Sequence, residues 1–271
     1  MRERPGGLVV LLALGASLAL GSCVAGNPGP AVTIGAGPTW APTLYPPEPE
    51  DYGNPLTGLV APSLPSVPPG PAAPADLPTT PWPAAALPAA LLTPADIPGG
   101  WKASAGEPYR DPTPQRIEPT ECQARLDAWF AVRKASGPPT AFASTTLTKD
   151  GRTITESLMT APIDQGARIR PMQELVATCS RSVYLTDPAQ PLTSILRLIP
   201  LPDRPQPAIA VREVLTNGAD VLFTSTAWIP AGRNILVVAY EHDKPLKDAD
   251  FAALTLTAYR KAMTGLATKA Q

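Results

Sequence analysis

The sequence predicts an α+β fold: an antiparallel sheet of about six strands covered on one face by helices. Three observations lead there. Asp150-Gly151 and Asn217-Gly218 each join two β-prone segments, the pattern of a tight hairpin. Three segments carry apolar residues at helical spacing. Strands that follow one another through short turns pair antiparallel, and three helices can cover one face of such a sheet.

The elements follow in order. Thr93 suits a helix N-cap and Pro94 the first helical position, so a short helical turn opens the folded region, and Pro98-Gly99-Gly100 closes it. A helix is expected over 120–134, with Cys122, Leu126, Trp129, Phe130 and Val132 roughly in helical step, stopped by Gly137-Pro138-Pro139. Segments 142–149 and 152–160 flank Asp150-Gly151 as a hairpin. A second helix is expected over 170–182, with Met172, Leu175, Val176 and Cys179 on one face. Strands are expected over 193–199, 208–215, 220–228 and 234–241. A last helix is expected over 247–268, with Phe251, Leu254, Ala258 and Leu266 on one face. Asp248 and Asp250 near its start and Lys261 and Lys269 toward its end suit the helix dipole.

Ahead of this region the chain has a different character. Arg2 and Arg4 precede an apolar run over 8–20, too short for a spanning helix of about 20 residues. The run ends in Leu20-Gly21-Ser22-Cys23, an aliphatic residue, two small ones and a cysteine, which resembles a bacterial lipobox. Residues 1–22 therefore read as a lipoprotein signal peptide with acyl chains on Cys23. Plain cleavage after Ala25 stands as the other reading. One acyl chain holds a protein weakly and two or more hold it firmly, so a lipidated Cys23 places the chain on the outer leaflet of the cell membrane.

Residues 23–86 read as a lipid-anchored, disordered tether. No Lys or Arg occurs over 24–101, and proline, 37 residues in the whole chain, is concentrated there. Such a segment lacks backbone donors and apolar volume for a core. It would span about 45 Å as a coil and about 200 Å as polyproline II. A cleaved pro-segment or a Pro-rich partner ligand are the alternatives. Residues 87–271 form the folded domain, large enough for a core without metal.

The chain has three cysteines. With Cys23 acylated, Cys122 and Cys179 remain on the apolar sides of two helices, and in an oxidising compartment they are expected to pair. The chain-entropy model gives such a bond about 4 kcal/mol. Two buried free thiols are the alternative.

At this point the chain resembles actinobacterial, mycobacterial-type cell-envelope lipoproteins. Within them it is similar to the group related to the extracellular sensor domain of a membrane Ser/Thr kinase. The resemblance rests on the lipobox at Cys23, the Pro-rich tether and the opening Leu91-Leu92-Thr93-Pro94-Ala95-Asp96-Ile97-Pro98. The paired Cys122 and Cys179 and the late hairpins also match. It implies an α+β fold with a cleft and an external ligand. The kinase sensor domains usually carry two disulfides, whereas this chain has cysteines for one.

Composition narrows function further. A net charge of −1 gives no basic excess for nucleic acid. His242 is the single histidine, which leaves no multi-His zinc site and one imidazole base, and no Gly-x-Ser-x-Gly elbow accompanies it. Glu241, Asp243, Asp248 and Asp250 cluster without the spacing of a calcium loop and read as acids near a helix start. No dinucleotide or phosphate loop occurs, and no cofactor is expected.

Three residues are ligand-site candidates. Glu156 falls in step with Ile154 and Leu158, which would turn a carboxylate toward the apolar face, with a strand-edge position or another register as the alternative. Trp228 and Tyr240 come from strands expected to neighbour each other and to line a pocket, or to pack as core aromatics. The expected activity is that of a non-enzymatic binding module of the envelope, taking a lipid, glycan or small molecule in a cleft. A protein-interaction or regulatory subunit of an envelope complex is the alternative, and a cell-wall hydrolase using Glu156 and Asp243 a distant third.

Overall fold

The computed structural model describes residues 77–110, 115–185, 191–201, 208–218 and 220–267. The signal peptide, Cys23 and the tether up to residue 76 lie outside the described residues.

The elements run α1 (Leu87–Ala90), β1 (Lys102–Ala105), β2 (Ile117–Glu118), α2 (Thr120–Ala135), β3 (Ala141–Lys149), β4 (Arg152–Thr160), a 3-10 turn (Gln165–Arg168), α3 (Ile169–Thr178), β5 (Arg181–Tyr184), β6 (Leu192–Leu198), β7 (Ile209–Asn217), β8 (Asp220–Ala231), β9 (Asn234–His242) and α4 (Asp248–Ala267). All nine strands join one antiparallel sheet in the order β1-β3-β4-β9-β8-β7-β6-β5-β2.

Turn chemistry sets the register. Asp150 and Gly151 have φ of 47° and 76°, the doubly positive geometry of a type I′ turn, and Lys149 pairs with Arg152 across it. Gly218 has φ 58° where Asn217 pairs with Asp220, and Gly232 has φ 59° where Ala231 pairs with Asn234.

The sheet has nine strands rather than about six. The three unanticipated ones, β1, β2 and β5, have four, two and four residues, too short to show period-2 alternation. β5 occupies residues expected to extend the second helix. That helix stops at Thr178, because Cys179 leaves the helical region at φ −119°, ψ 48°.

The sheet is covered on both faces, not one. In β9, Leu236, Val238 and Tyr240 join a core with α1, α4 and residues 77–101, whereas Ile235 and Val237 join a second core with α2 and α3. Burial of alternate residues on opposite sides requires a strand that is apolar on both faces, and β9 is so from Ile235 to Tyr240.

The boundary expected at residue 86 also moves. Leu77, Trp82 and Ala86 are buried in the first core. Asn234, fully buried at the start of β9, fastens this stretch: its Nδ2 donates to Pro78 O (3.0 Å) and Thr80 O (2.7 Å), and its Oδ1 accepts from Trp82 N (3.1 Å). Prolines cannot donate, so a side-chain amide and Trp82 N supply bonds that a strand ladder would otherwise make. Residues 77–86 thus belong to the folded body.

Cys122 and Cys179 are disulfide-bonded, with Cα atoms 5.5 Å apart and a sequence separation of 57. The bond ties the start of α2 to the end of α3 inside the second core.

Candidate functional site

A narrow cleft lies on the α2–α3 side of the sheet. Trp129 and Arg133 come from one face of α2, four residues apart, and the guanidinium sits 5.6 Å over the indole ring. Arg168 ends the 3-10 turn, and Ile169 and Met172 follow from α3. The floor is Met159 of β4, Ile209 of β7, Trp228 of β8 and Val237 of β9. Ile209, Trp228 and Val237 are in direct register, so their side chains point to the same face. The free interior is about 10 Å³, room for about one water molecule.

The 3-10 turn is held firmly. Asp164 caps it by accepting from Gly166 N at 2.6 Å, and Gln165 N donates to Gly232 O at 2.7 Å. This fixes Arg168 at the N-cap of α3 with 8 % exposure, the largest among the residues lining the cleft. Burial, and then the neighbouring Arg133, pull the Arg168 guanidinium down to about 10, so it stays charged at neutral pH. Tyr109, edge-on to Phe142 at 5.7 Å, lies near enough to favour the charged form.

Of the sequence candidates, Trp228 lines this cleft. Tyr240 does not share it. β8 and β9 are neighbours as expected, but Trp228 pairs with Val237, and Tyr240, three residues further on, points into the opposite core. The expectation that both aromatics line one pocket is therefore corrected.

Glu156 points inward, as its spacing implies, on the α4 side. It is fully buried, and its Oε2 accepts from Leu92 N at 2.5 Å. Burial raises its carboxyl to about 8, with Asp96 adding to the rise and Lys261 opposing it. Lys261 Nζ lies 3.2 Å from Asp96, and Asp96 Oδ2 accepts from Thr93 N and Oγ1 at 2.8 and 2.7 Å. The Glu156 carboxyl thus anchors the loop at Leu92 beside a closed polar cluster.

Two further carboxyls share the opposite face. Glu213 accepts from Ser194 Oγ at 2.6 Å and burial raises it to about 7; burial does the same to Glu241. Glu213 alternates with Val211 and Leu215, the same signal that marked Glu156.

His242 sits at the end of β9, its Nδ1 accepting from Lys244 N at 3.1 Å and its Nε2 3.1 Å from Asp243. Asp248 is engaged by Arg197 through two bonds of 2.8 and 2.9 Å and by Arg212 at 3.0 Å. Among the described residues, no three His, Cys, Asp or Glu side chains converge as metal ligands. Among them also, no helix is long and apolar enough to cross a membrane.

The residues of the cleft that the sequence did not single out are Arg133, Met159, Arg168, Ile169, Ile209 and Val237. Trp129 and Met172 were visible as one-face helical positions; the two arginines carried no signal, because each sits in an ordinary mix of charged and apolar neighbours.

No family model matches the chain, and no curated protein matches it in sequence. Among solved structures, it is similar to the extracellular domain of PknH from Mycobacterium tuberculosis, at 15% identity and TM-score 0.46, over 70% of this chain and 100% of that one. It is also similar to the Rv0999 ortholog from Mycobacterium smegmatis, at 14% identity and TM-score 0.40, over 68% of this chain and 98% of that one.

Proposed function

We propose that the chain is an exported, lipid-anchored, non-enzymatic binding module of the cell envelope that takes a small molecule, a glycan or a lipid headgroup in the cleft between α2, α3 and the sheet. The observation that carries this reading is the composition of the cleft. Two tryptophans and two methionines converge there from four elements, a desolvated and adaptable wall of the kind that holds ligands, with two guanidiniums for orientation. The anchor rests on the Leu20-Gly21-Ser22-Cys23 motif.

A protein-interaction subunit is the second reading, and it calls for a contiguous exposed apolar patch. The exposed large hydrophobics among the described residues are Ile163, Leu198 and Val221, which come from a loop, the end of β6 and the start of β8. Such scattered positions favour the cleft. The hydrolase reading needs Glu156 open to a groove, and that carboxyl is fully buried.

Native mass spectrometry of the full chain, extracted from its own membranes in detergent, tests the proposal. A co-purified mass that is lost on Trp228→Ala is the expected result. Bare protein in both forms removes the cleft reading. In the same preparation, Cys23→Ser should move the chain from the detergent phase to the aqueous phase; an unchanged partition removes the lipid anchor.

A further inference from the structure

We propose that the cleft is an anion site, in which Arg168, at the amino end of α3 and beside Arg133, receives one oxygen of a carboxylate, phosphate or sulfate group on the ligand. The inference rests on the cleft-binding reading above and names the chemistry that this site recognises.

Four observations meet at this point. Arg168 is more than nine-tenths buried, and its Nε has no hydrogen-bond partner among the described residues. No carboxylate of the described residues lies within ion-pairing distance of it. A second buried guanidinium, Arg133, stands close enough to depress its proton affinity. And Arg168 occupies the N-cap of a ten-residue helix with no acid in its first turn and no side-chain cap. The dipole of that end adds positive potential to that of the two cations, although Ile169 N already donates to Gly166 O and Pro171 has no N–H to offer.

Like charges brought together among Trp and Met side chains cost folding energy, and removing one of two such groups should relieve the fold rather than harm it. An anion reverses the sign of every one of these terms at once. The dimensions say how much of the ligand enters. A free interior of about 10 Å³ admits one polar atom and excludes an acyl chain. All nine lining residues are buried, so the rest of the anionic group stays outside the cleft.

The test uses the full chain in non-ionic detergent micelles, followed by tryptophan fluorescence and by thermal unfolding. Sodium phosphate, sulfate and acetate are titrated against sodium chloride of equal ionic strength, and phosphatidylglycerol is added to the micelles in a separate arm. The expected result is a saturable fluorescence change with at least one oxyanion and a midpoint raised by about 4 °C at tenfold excess over Kd. Arg168→Met should weaken it at least tenfold while leaving the ligand-free midpoint equal or higher, and Arg168→Lys, which keeps the charge but not the planar fork, should weaken it less. A response to phosphatidylglycerol without one to inorganic phosphate identifies a lipid headgroup; the reverse identifies a free anion. A chloride-like response to every anion, or full binding in Arg168→Met, overturns the inference. If that variant still carries the co-purified mass of the native chain, the anion site falls while the binding-module reading stands.

Discussion

Burial pushes the Glu156 carboxyl up to about 8, whereas the unfolded chain holds it near 4.5. Between those values the folded chain keeps a proton that the unfolded chain releases, so stability falls as pH rises through that window and levels off above it. A full pKa unit is worth about 1.4 kcal/mol, so this one group accounts for a loss on the order of 5 kcal/mol. The groups that face it are Leu92 N and Asp96 from the loop and Lys261 from α4, with Thr145 of β3 and Val238 of β9 beside it in register. Glu156→Gln keeps the acceptor for Leu92 N and removes the titration. We expect chemical-denaturation curves from pH 5 to 8.5 to show the variant gaining on the native chain as pH rises. Glu213 and Glu241, both raised to about 7, leave a smaller slope of the same sign in the variant. Parallel curves for the two proteins would place the titration elsewhere. At this scale the sequence was partly legible. The inward turn of Glu156 followed from its step with Ile154 and Leu158, and Glu213 offered the same evidence. The opposite facing of Trp228 and Tyr240 was also legible: a two-residue turn at Gly232-Arg233 sets Ala231 against Asn234, and counting back sets Trp228 against Val237. Arg168 was not legible, since its meaning depends on Arg133, which comes from another helix.

At the scale of elements, α1 and α4 approach each other closely. A Cβ on Gly265 would fall 2.6 Å from Ala90 Cα and 2.9 Å from its Cβ, so the two helices touch where neither carries a side chain larger than methyl. Gly265 has no positive φ to explain it, and glycine inside a helix costs about 1 kcal/mol relative to alanine, so close packing is its reason. Gly265→Ala gains the propensity and meets backbone that cannot give way. We expect a net loss of about 1–2 kcal/mol, read from urea midpoints, where an open helix position would show a gain. A stabilised variant would mean that α1 yields easily and does not brace α4. Neither this contact nor α1 itself announced itself. α1 is a single turn of four residues in a Pro- and Ala-rich stretch whose composition reads as tether. Leu77 and Trp82 were the dissenting residues there: large apolar side chains that a solvated tether has no use for, and that the structure buries. The hairpins were legible almost to the residue, because their signal is local and chemical. The short edge strands were not, because their pairing is decided by what lies next to them.

Among the described residues a sheet lies between two cores that do not mix, and this has a consequence for the disulfide. Cys122 and Cys179 sit in the α2–α3 core alone, while α1, α4 and residues 77–101 pack on the far side of nine strands. That the sheet is buried twice was legible in Ile235-Leu236-Val237-Val238-Ala239-Tyr240, whose unbroken apolar run belongs to a strand with no wet face; counting helices against one face missed it. The pairing of the cysteines was legible from their number and their apolar helical setting, whereas its placement on one core was not. Closing a 57-residue loop contributes about 4 kcal/mol in the chain-entropy model. Reduction, or Cys122→Ser with Cys179→Ser, should therefore lower the unfolding free energy by about that amount. Location gives the sharper test. Amide hydrogen exchange of the reduced chain at low denaturant should speed first in α2, the 3-10 turn and α3, because those elements lose a tie and the sheet shields the other core from the loss. α4 and the segment around Trp82 should follow only with global unfolding. The same local loosening should weaken any ligand held by Arg133 and Arg168, since the bond joins the two helices that carry them. Exchange that rises equally in α3 and α4 would show instead that the two faces open as one unit, with the central strands transmitting the strain from face to face.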